Sequence, residues 1–279
     1  LNRRQEKGIQ MSEIAISQSE FEQFRALMRQ AAGIDLPPQK ISLVSGRLAR
    51  RLRALGINTF GDYYRLVSGG GAHDEFERMV DLLTTHETYF FREGKHFEFL
   101  ADSVLPQLGR ARAPRLWSAA SSSGEEAYSL AMVLDDRLGA DVAWEVVGSD
   151  ISRDVLDKAR TGIYAMNRID GIPPDYLRRY CLRGVGSRDG TLQVDAGLRQ
   201  RVRFAQVNLN ENLASVGEFD VVFLRNVLIY FDLATKRRIV ERVVRQMRPG
   251  GWLFIGHSES LNGFDVGLRQ ERPTIYRRV

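Results

Sequence analysis

Arg115-Leu116-Trp117-Ser118-Ala119-Ala120-Ser121-Ser122-Ser123-Gly124-Glu125-Glu126 decides the fold class of this chain. Arg115–Ala120 reads as a short strand, the small residues after it as a loop, and Glu125–Leu138 as a helix. The alternation continues downstream. Trp144–Gly148 is a strand running on to Asp150, Ser152–Arg160 a helix, and Phe219–Leu224 a strongly apolar strand. Leu233–Met247 is a helix stopped by Pro249-Gly250-Gly251, and Trp252–Gly256 is the next strand. Strands alternating with helices predict an α/β domain with a mostly parallel sheet and helical crossovers.

Two regions depart from that pattern. Ser17 to Glu93 reads as all-helical, opening with capping-box spacing at Ser17 and Glu20. Within it, about Lys40 to Leu55, an apolar stripe of Ile41, Val44, Leu48, Leu52 and Leu55 runs beside a basic side. That side carries Lys40, Arg47, Arg50, Arg51 and Arg53. Short helices are expected near Thr59–Val67 and Asp74–Leu83. The second region, about 180–204, has β-like runs at Tyr180–Arg183, Thr191–Val194 and Arg201–Phe204 between glycines, and is expected as a small antiparallel insertion. Leu1–Gln10 precede Met11 and are set aside. The expected domains are therefore a helical one with its linker over 11–93 and an α/β one over 94–279.

Composition narrows the class. The chain has 279 residues, enough for two modest cores, with 43% hydrophobic and 27% charged residues, as in ordinary globular proteins. It has no apolar run near the roughly 18 residues of a membrane span, so no direct membrane insertion is expected. Cys181 is the only cysteine, which excludes an internal disulfide and suits a reducing cytoplasm. His73, His86, His96 and His257 do not pair with cysteine at zinc-like spacing, so no metal is expected. The net charge of +5 suits an acidic partner, a membrane surface or nucleic acid, or reflects a solvated arginine face.

Ligands of open α/β sheets bind beyond the carboxyl ends of the strands. The first such loop is not G-x-G-x-x-G, and its two glutamates would repel a pyrophosphate and suit a cation such as a sulfonium or ammonium. Those glutamates also suit a helix N-terminus for its own sake. Asp150 stands where ribose hydroxyls are taken, and equally where a helix is capped. Arg225-Asn226 follows a strand as a polar pair, with Tyr230 as an aromatic lid or as core. Arg92, in Thr88-Tyr89-Phe90-Phe91-Arg92-Glu93, suits a carboxylate or a surface ion pair.

Thr88-Tyr89-Phe90-Phe91-Arg92, Trp117 to Glu126, and Arg225-Asn226-Val227-Leu228-Ile229-Tyr230-Phe231 occur in one order with a helical N-terminal region and a β insertion. Together they resemble the CheR family of chemotaxis receptor methyltransferases, over essentially everything after Met11. The resemblance implies a Rossmann-like, S-adenosylmethionine-dependent methyltransferase fold with an N-terminal all-helical domain. It implies a cytoplasmic protein-glutamate O-methyltransferase that forms glutamyl methyl esters on chemoreceptors and releases S-adenosylhomocysteine. It also implies cofactor contacts at Thr88, Arg92, Glu125, Asp150, Asn208, Leu209, Arg225 and Asn226, and Tyr230 beside the transferred methyl. His86 stands where the family usually has asparagine. For the family's arginine between the Phe-Phe-Arg motif and the first strand, Arg110 is the nearest candidate. The basic helix would dock the glutamate-rich helices of a receptor's cytoplasmic signalling domain, and Gly184, Gly186 and Gly190 resemble a loop that tethers a receptor's C-terminal peptide.

A nucleic-acid methyltransferase is disfavoured. The D/N-P-P-Y/F/W pattern is absent after Phe219–Leu224, so no nucleic-acid partner is expected. A non-catalytic scaffold is disfavoured by Arg92, Glu125, Asp150 and Tyr230.

Overall fold

A computed structural model describes residues 15–108, 112–139 and 141–279. The chain divides into two compact units, one including 36–83 and the other 31–35 with 84–279. The expected boundary at 93/94 is thus displaced. Phe90 is fully buried in the α/β core, edge-on to Tyr164 at 4.9 Å, so the linker belongs with that core.

The helical unit contains most of α1 (Gln18–Ala32), and α2 (Ile41–Leu55), α3 (Phe60–Ser68) and α4 (His73–Leu83). The capping box forms as the sequence predicts: the Ser17 amide donates to Glu20 Oε2 (2.8 Å) and the Glu20 amide to Ser17 Oγ (3.3 Å). Phe24 packs among Phe60, Tyr63 and Tyr64, and Val44, Leu48 and Leu52 bury the inner side of α2. Gly56 closes α2 at φ 69, a conformation that glycine adopts without strain.

The second unit begins its regular structure with α5 (Lys95–Phe99). A seven-stranded sheet follows, of β1 (Arg115–Ala119), β2 (Glu145–Asp150), β6 (Val202–Gln206), β7 (Phe219–Leu224), β8 (Met247–Ile255), β9 (Leu268–Arg272) and β10 (Ile275–Arg278). A separate antiparallel sheet holds β3 (Ile163–Ala165), β5 (Thr191–Val194) and β4 (Cys181–Arg183), in that order. The helices are α6 (Glu125–Leu138), α7 (Arg153–Thr161), α8 (Pro174–Tyr180), α9 (Ala196–Gln200) and α10 (Leu233–Arg245). The strand order is β6-β2-β1-β7-β8-β10-β9, parallel from β6 to β8 and antiparallel at β10 and β9. The order reverses between β1 and β7, so their carboxyl ends flank the crevice where such sheets take ligands.

Two expectations about strands are corrected. Arg201–Phe204 is not part of the insertion. Val202–Gln206 pairs parallel to β2 as the edge of the main sheet, reached through α9, which Asp195 caps. A half-exposed edge strand shows the same alternation as an insertion strand, so periodicity could not separate them. The insertion's third strand is instead Ile163–Ala165. Pro249-Gly250-Gly251 does not stop α10, which already ends at Arg245. It lies within β8, where the pairing with β7 shifts register. A Cβ at Gly251 would come within 2.8 Å of the Arg248 carbonyl, so only glycine lets the strand pass there.

Candidate functional site

The crevice is built from the loops after β1, β2, β6 and β7. After β1, Ala120 (φ 64), Ser122 (φ 50) and Gly124 (φ 94) all adopt left-handed backbone, which curls the chain back over the strand end. The curl is fixed from β2: the Ser121 amide donates to the Ser149 carbonyl (2.7 Å) and the Ser122 amide to Asp150 Oδ2 (2.9 Å). The other oxygen of Asp150 accepts the Ser152 amide at 3.1 Å. Two acceptor positions of the carboxylate are thereby used, out of about four. Burial pushes the Asp150 carboxyl up, and it lies 3.9 Å from His86 Nδ1. His86 Nε2 is 2.6 Å from Thr84 Oγ1, and the His86 carbonyl accepts Ser122 Oγ.

Glu125 and Glu126 open α6 and turn inward. Glu125 is fully buried. It accepts Ser123 Oγ at 2.7 Å and pairs with Arg168 at 2.9 Å, and burial still holds its carboxyl above the usual range. Arg168 also reaches the Thr88 carbonyl (2.8 Å), joining the two motifs. Glu126 accepts Ser118 Oγ at 2.7 Å and Arg225 Nη1 at 3.1 Å, and it too is raised by burial.

Arg225 has no exposed side-chain surface. It bridges Glu126 and Glu93 (2.9 Å), donates to the Arg92 carbonyl and lies over the rings of Phe97 and Phe223. Burial raises the Glu93 carboxyl and the Arg225 guanidinium lowers it; the guanidinium wins, and Glu93 falls to about 2. Two acids share one cation here, and Glu93 takes the larger part of it. Arg225 therefore grips the chain on either side of the crevice and leaves no side-chain surface for a ligand. Asn208 is likewise engaged: its amide donates to the Ala31 carbonyl (2.7 Å) and to Glu211 (3.0 Å). Leu209 beside it is buried in the apolar cluster under the sheet.

Asn226 (φ 57) donates through Nδ2 to Glu93 Oε1 at 3.1 Å. The loop leading to Tyr230 is held by Glu259, whose buried carboxylate accepts the amides of Asn226 (2.9 Å), Leu228 (2.7 Å) and Gly256 (2.6 Å). Tyr230 is half-buried on the 3-10 turn Leu228–Tyr230 that this carboxylate organises. Arg92 donates to the Glu87 carbonyl (2.9 Å) and lies over the Tyr89 ring at 5.6 Å. Arg110 falls outside the described residues.

The sequence-selected residues Asp150, Glu125, Arg225 and Asn226 thus meet at one end of the sheet. Glu93, Glu126, Arg168 and Glu259 complete the network and were not singled out from the sequence for these roles. Glu126 carries a local signal as the second of the two glutamates that open the helix after β1, and Glu259 carries one as an acid three residues beyond a glycine that follows a strand.

Two family descriptions match this chain: "CheR methyltransferase, all-alpha domain" over residues 19–84 and "CheR methyltransferase, SAM binding domain" over residues 86–276. The chain belongs to the CheR methyltransferase family. It is 42% identical over 271 residues to the chemotaxis protein methyltransferase of Escherichia coli (strain K12), covering 96% of this chain and 94% of that protein. It is 41% identical over 266 residues to chemotaxis protein methyltransferase 2 of Pseudomonas aeruginosa, covering 95% and 94%. This methyltransferase uses S-adenosylmethionine as its cofactor. The donor set fits that molecule: buried acids at the strand ends match its ammonium and ribose hydroxyls, and the buried Ser121 hydroxyl has no partner among the described residues.

On α2 the structure divides the basic face. Arg51 binds Glu75 with both Nε (2.9 Å) and Nη2 (2.5 Å), and Tyr63 OH adds a third bond at 2.7 Å. Arg47 donates to the Leu82 carbonyl (3.1 Å), satisfying the end of α4. Lys40, Arg50 and Arg53 stay exposed.

Proposed function

We propose that this methyltransferase esterifies glutamate side chains in the cytoplasmic signalling domain of bacterial chemoreceptors. The observation that carries the reading is near full-length similarity to proteins named chemotaxis protein methyltransferases. A glutamate with a pKa of about 4.3 is already ionised at neutral pH, so the acceptor needs no base to activate it. The cofactor supplies an electrophilic methyl on a sulfonium. The work left to the protein is to orient the two reactants and exclude water. Asp150 takes the ribose hydroxyls with its remaining acceptor positions. Glu125, Thr88, His86 and Arg92 hold the amino-acid end and its surroundings, and Leu209 adds apolar surface. Arg225, Glu93, Glu126 and Glu259 position the loops that carry these contacts, as does Asn208. Tyr230 stands beside the methyl.

The exposed Lys40, Arg50 and Arg53 steer an acidic receptor helix. A receptor's C-terminal peptide adds a strand along β4, a sheet edge with Leu182 exposed, raising the effective concentration of the rest of the receptor. The three glycines support this edge by their conformations. Gly186 (φ 60) and Gly190 (φ 78) turn left-handed, and a Cβ at Gly184 would sit 2.0 Å from the Arg188 carbonyl.

The test is methyl transfer from labelled S-adenosylmethionine to isolated chemoreceptor signalling domains, followed by mild base. Label released as volatile methanol is the expected result. Label that resists base, or that enters nucleic acid instead, overturns the reading.

A further inference from the structure

His96 and His257 are far apart in the chain, yet their rings meet edge-to-face at 4.9 Å beside Glu93. His96 is 3% exposed. Its Nε2 lies 2.8 Å from Thr274 Oγ1, and that hydroxyl donates its own proton to the Pro273 carbonyl at 2.6 Å. With that proton so placed, Thr274 accepts from His96 and Nε2 carries the ring's proton. In the neutral ring this leaves Nδ1 as a bare lone pair. Nδ1 is buried without a hydrogen-bond partner among the described residues, and Glu93 Oε2 lies 3.5 Å from it. Glu93 Oε2 also accepts the His257 amide at 3.3 Å, so the bare Nδ1 beside this carboxylate is the position a cation would occupy. The Arg225 guanidinium binds the same carboxylate at 2.9 Å but does not reach the imidazole nitrogen within hydrogen-bond range. His257 Nε2 approaches Glu93 Oε2 to 3.8 Å from the solvent side, its side chain 54% exposed.

We propose that Glu93 Oε2, His96 Nδ1 and His257 Nε2 form a site for one divalent first-row transition ion, with solvent completing the coordination. The three ligand atoms lie within 4.8 Å of one another. Tetrahedral zinc bonds of about 2.0–2.2 Å place ligand atoms about 3.3 Å apart, so a modest swing of the exposed His257 side chain closes the set. Imidazole and carboxylate ligands suit zinc, nickel, copper or iron over calcium or magnesium. Thr274 is the supporting contact that fixes which nitrogen of His96 faces the ion. The ion would tie the Phe91–Glu93 turn to the loop after β8. The site stands on these side chains alone and does not depend on which substrate is methylated.

The experiment uses the full chain stripped with a chelator and titrated with Zn2+ by competition calorimetry, with visible Co2+ absorption reporting coordination geometry. The expected result is one ion per chain. His257→Ala, at a half-exposed position that leaves the core intact, should weaken binding by more than about tenfold and abolish the Co2+ band. Thr274→Val keeps all three ligands and should weaken binding by roughly 10- to 100-fold. His73→Ala and Cys181→Ser should change neither readout. No binding by the parent chain, unchanged binding by His257→Ala, or loss on removing His73 or Cys181 each overturns the proposal.

Discussion

Helices α2 and α6 are nearly equal in length, 15 and 14 residues, and use charge in opposite ways. On α2 the carboxylate partner is more than matched. Burial raises Glu75, but two bonds from Arg51 and one from Tyr63 outweigh it, and its pKa is lowered. On α6 the balance is reversed. Glu125 is drawn inside against Arg168 and Glu126 against an Arg225 that it shares with Glu93, and burial wins. In the first case charge supports the fold. In the second the fold holds charge against its own hydration, which for Glu125 accords with the proposed cofactor contact and for Glu126 with its part in positioning the loops.

The sharpest way to break this contrast is to remove an acid from each region. Asp150→Ala should weaken S-adenosylmethionine binding by about 100-fold, since a buried charged hydrogen-bonding group contributes about 3 kcal/mol, with the fold retained by circular dichroism. Calorimetry showing parental affinity would end its assigned role. Glu75→Gln should lower stability by about 1–2 kcal/mol in urea titration, the partial exposure of Arg51 limiting the loss. Its effect on cofactor affinity should be nil, and a matching loss there would erase the distinction.

Acid titration sharpens the comparison further. Glu93 is lowered from 4.5 to about 2, so the unfolded chain binds its proton first as the pH falls. Its contribution is complete above about 4.5 and is lost between there and about 2. Glu93→Gln should remove that part of the acid-unfolding profile. Glu125, Glu126 and Asp150 have raised pKa values, which carries the opposite sign. They weaken the fold while ionised, and under the proposed function the bound cofactor relieves Glu125 and Asp150. Cofactor affinity should therefore rise with pH through those raised values and then level. An affinity independent of pH would show that these acids do not meet the cofactor's charge. The smallest effect is expected on α2: Arg50→Glu with Arg53→Glu should slow receptor methylation several-fold at low salt and little at high salt, as screening predicts.

The same contrast explains what could be read in advance. The limits of α6 follow from the acids that open it and from Gly139 that closes it, so the sequence marks it well. The stripe on α2 is legible because only one side is buried, but the engagement of Arg51 by Glu75 is a tertiary contact with no periodic trace. Asp150 and Glu125 follow strands and were visible for that reason. The grouping of Glu93, Glu126 and Arg225 joins three distant segments, as does that of His96 with His257, and only folding brings them together. The place of Val202–Gln206 was misread because edge strands of either sheet alternate alike.

Ala120, Ser122 and Asn226 hold left-handed backbone at the ends of β1 and β7. At Ala120 and Ser122 this costs on the order of 1 kcal/mol relative to glycine, whereas asparagine tolerates it at Asn226. Glycine at Ala120 would relieve the strain and also free the loop, so a screen for heat resistance and a screen for turnover should select opposite residues there. The strained turn at Ala120 is thus where heat resistance and turnover are expected to pull the sequence in different directions.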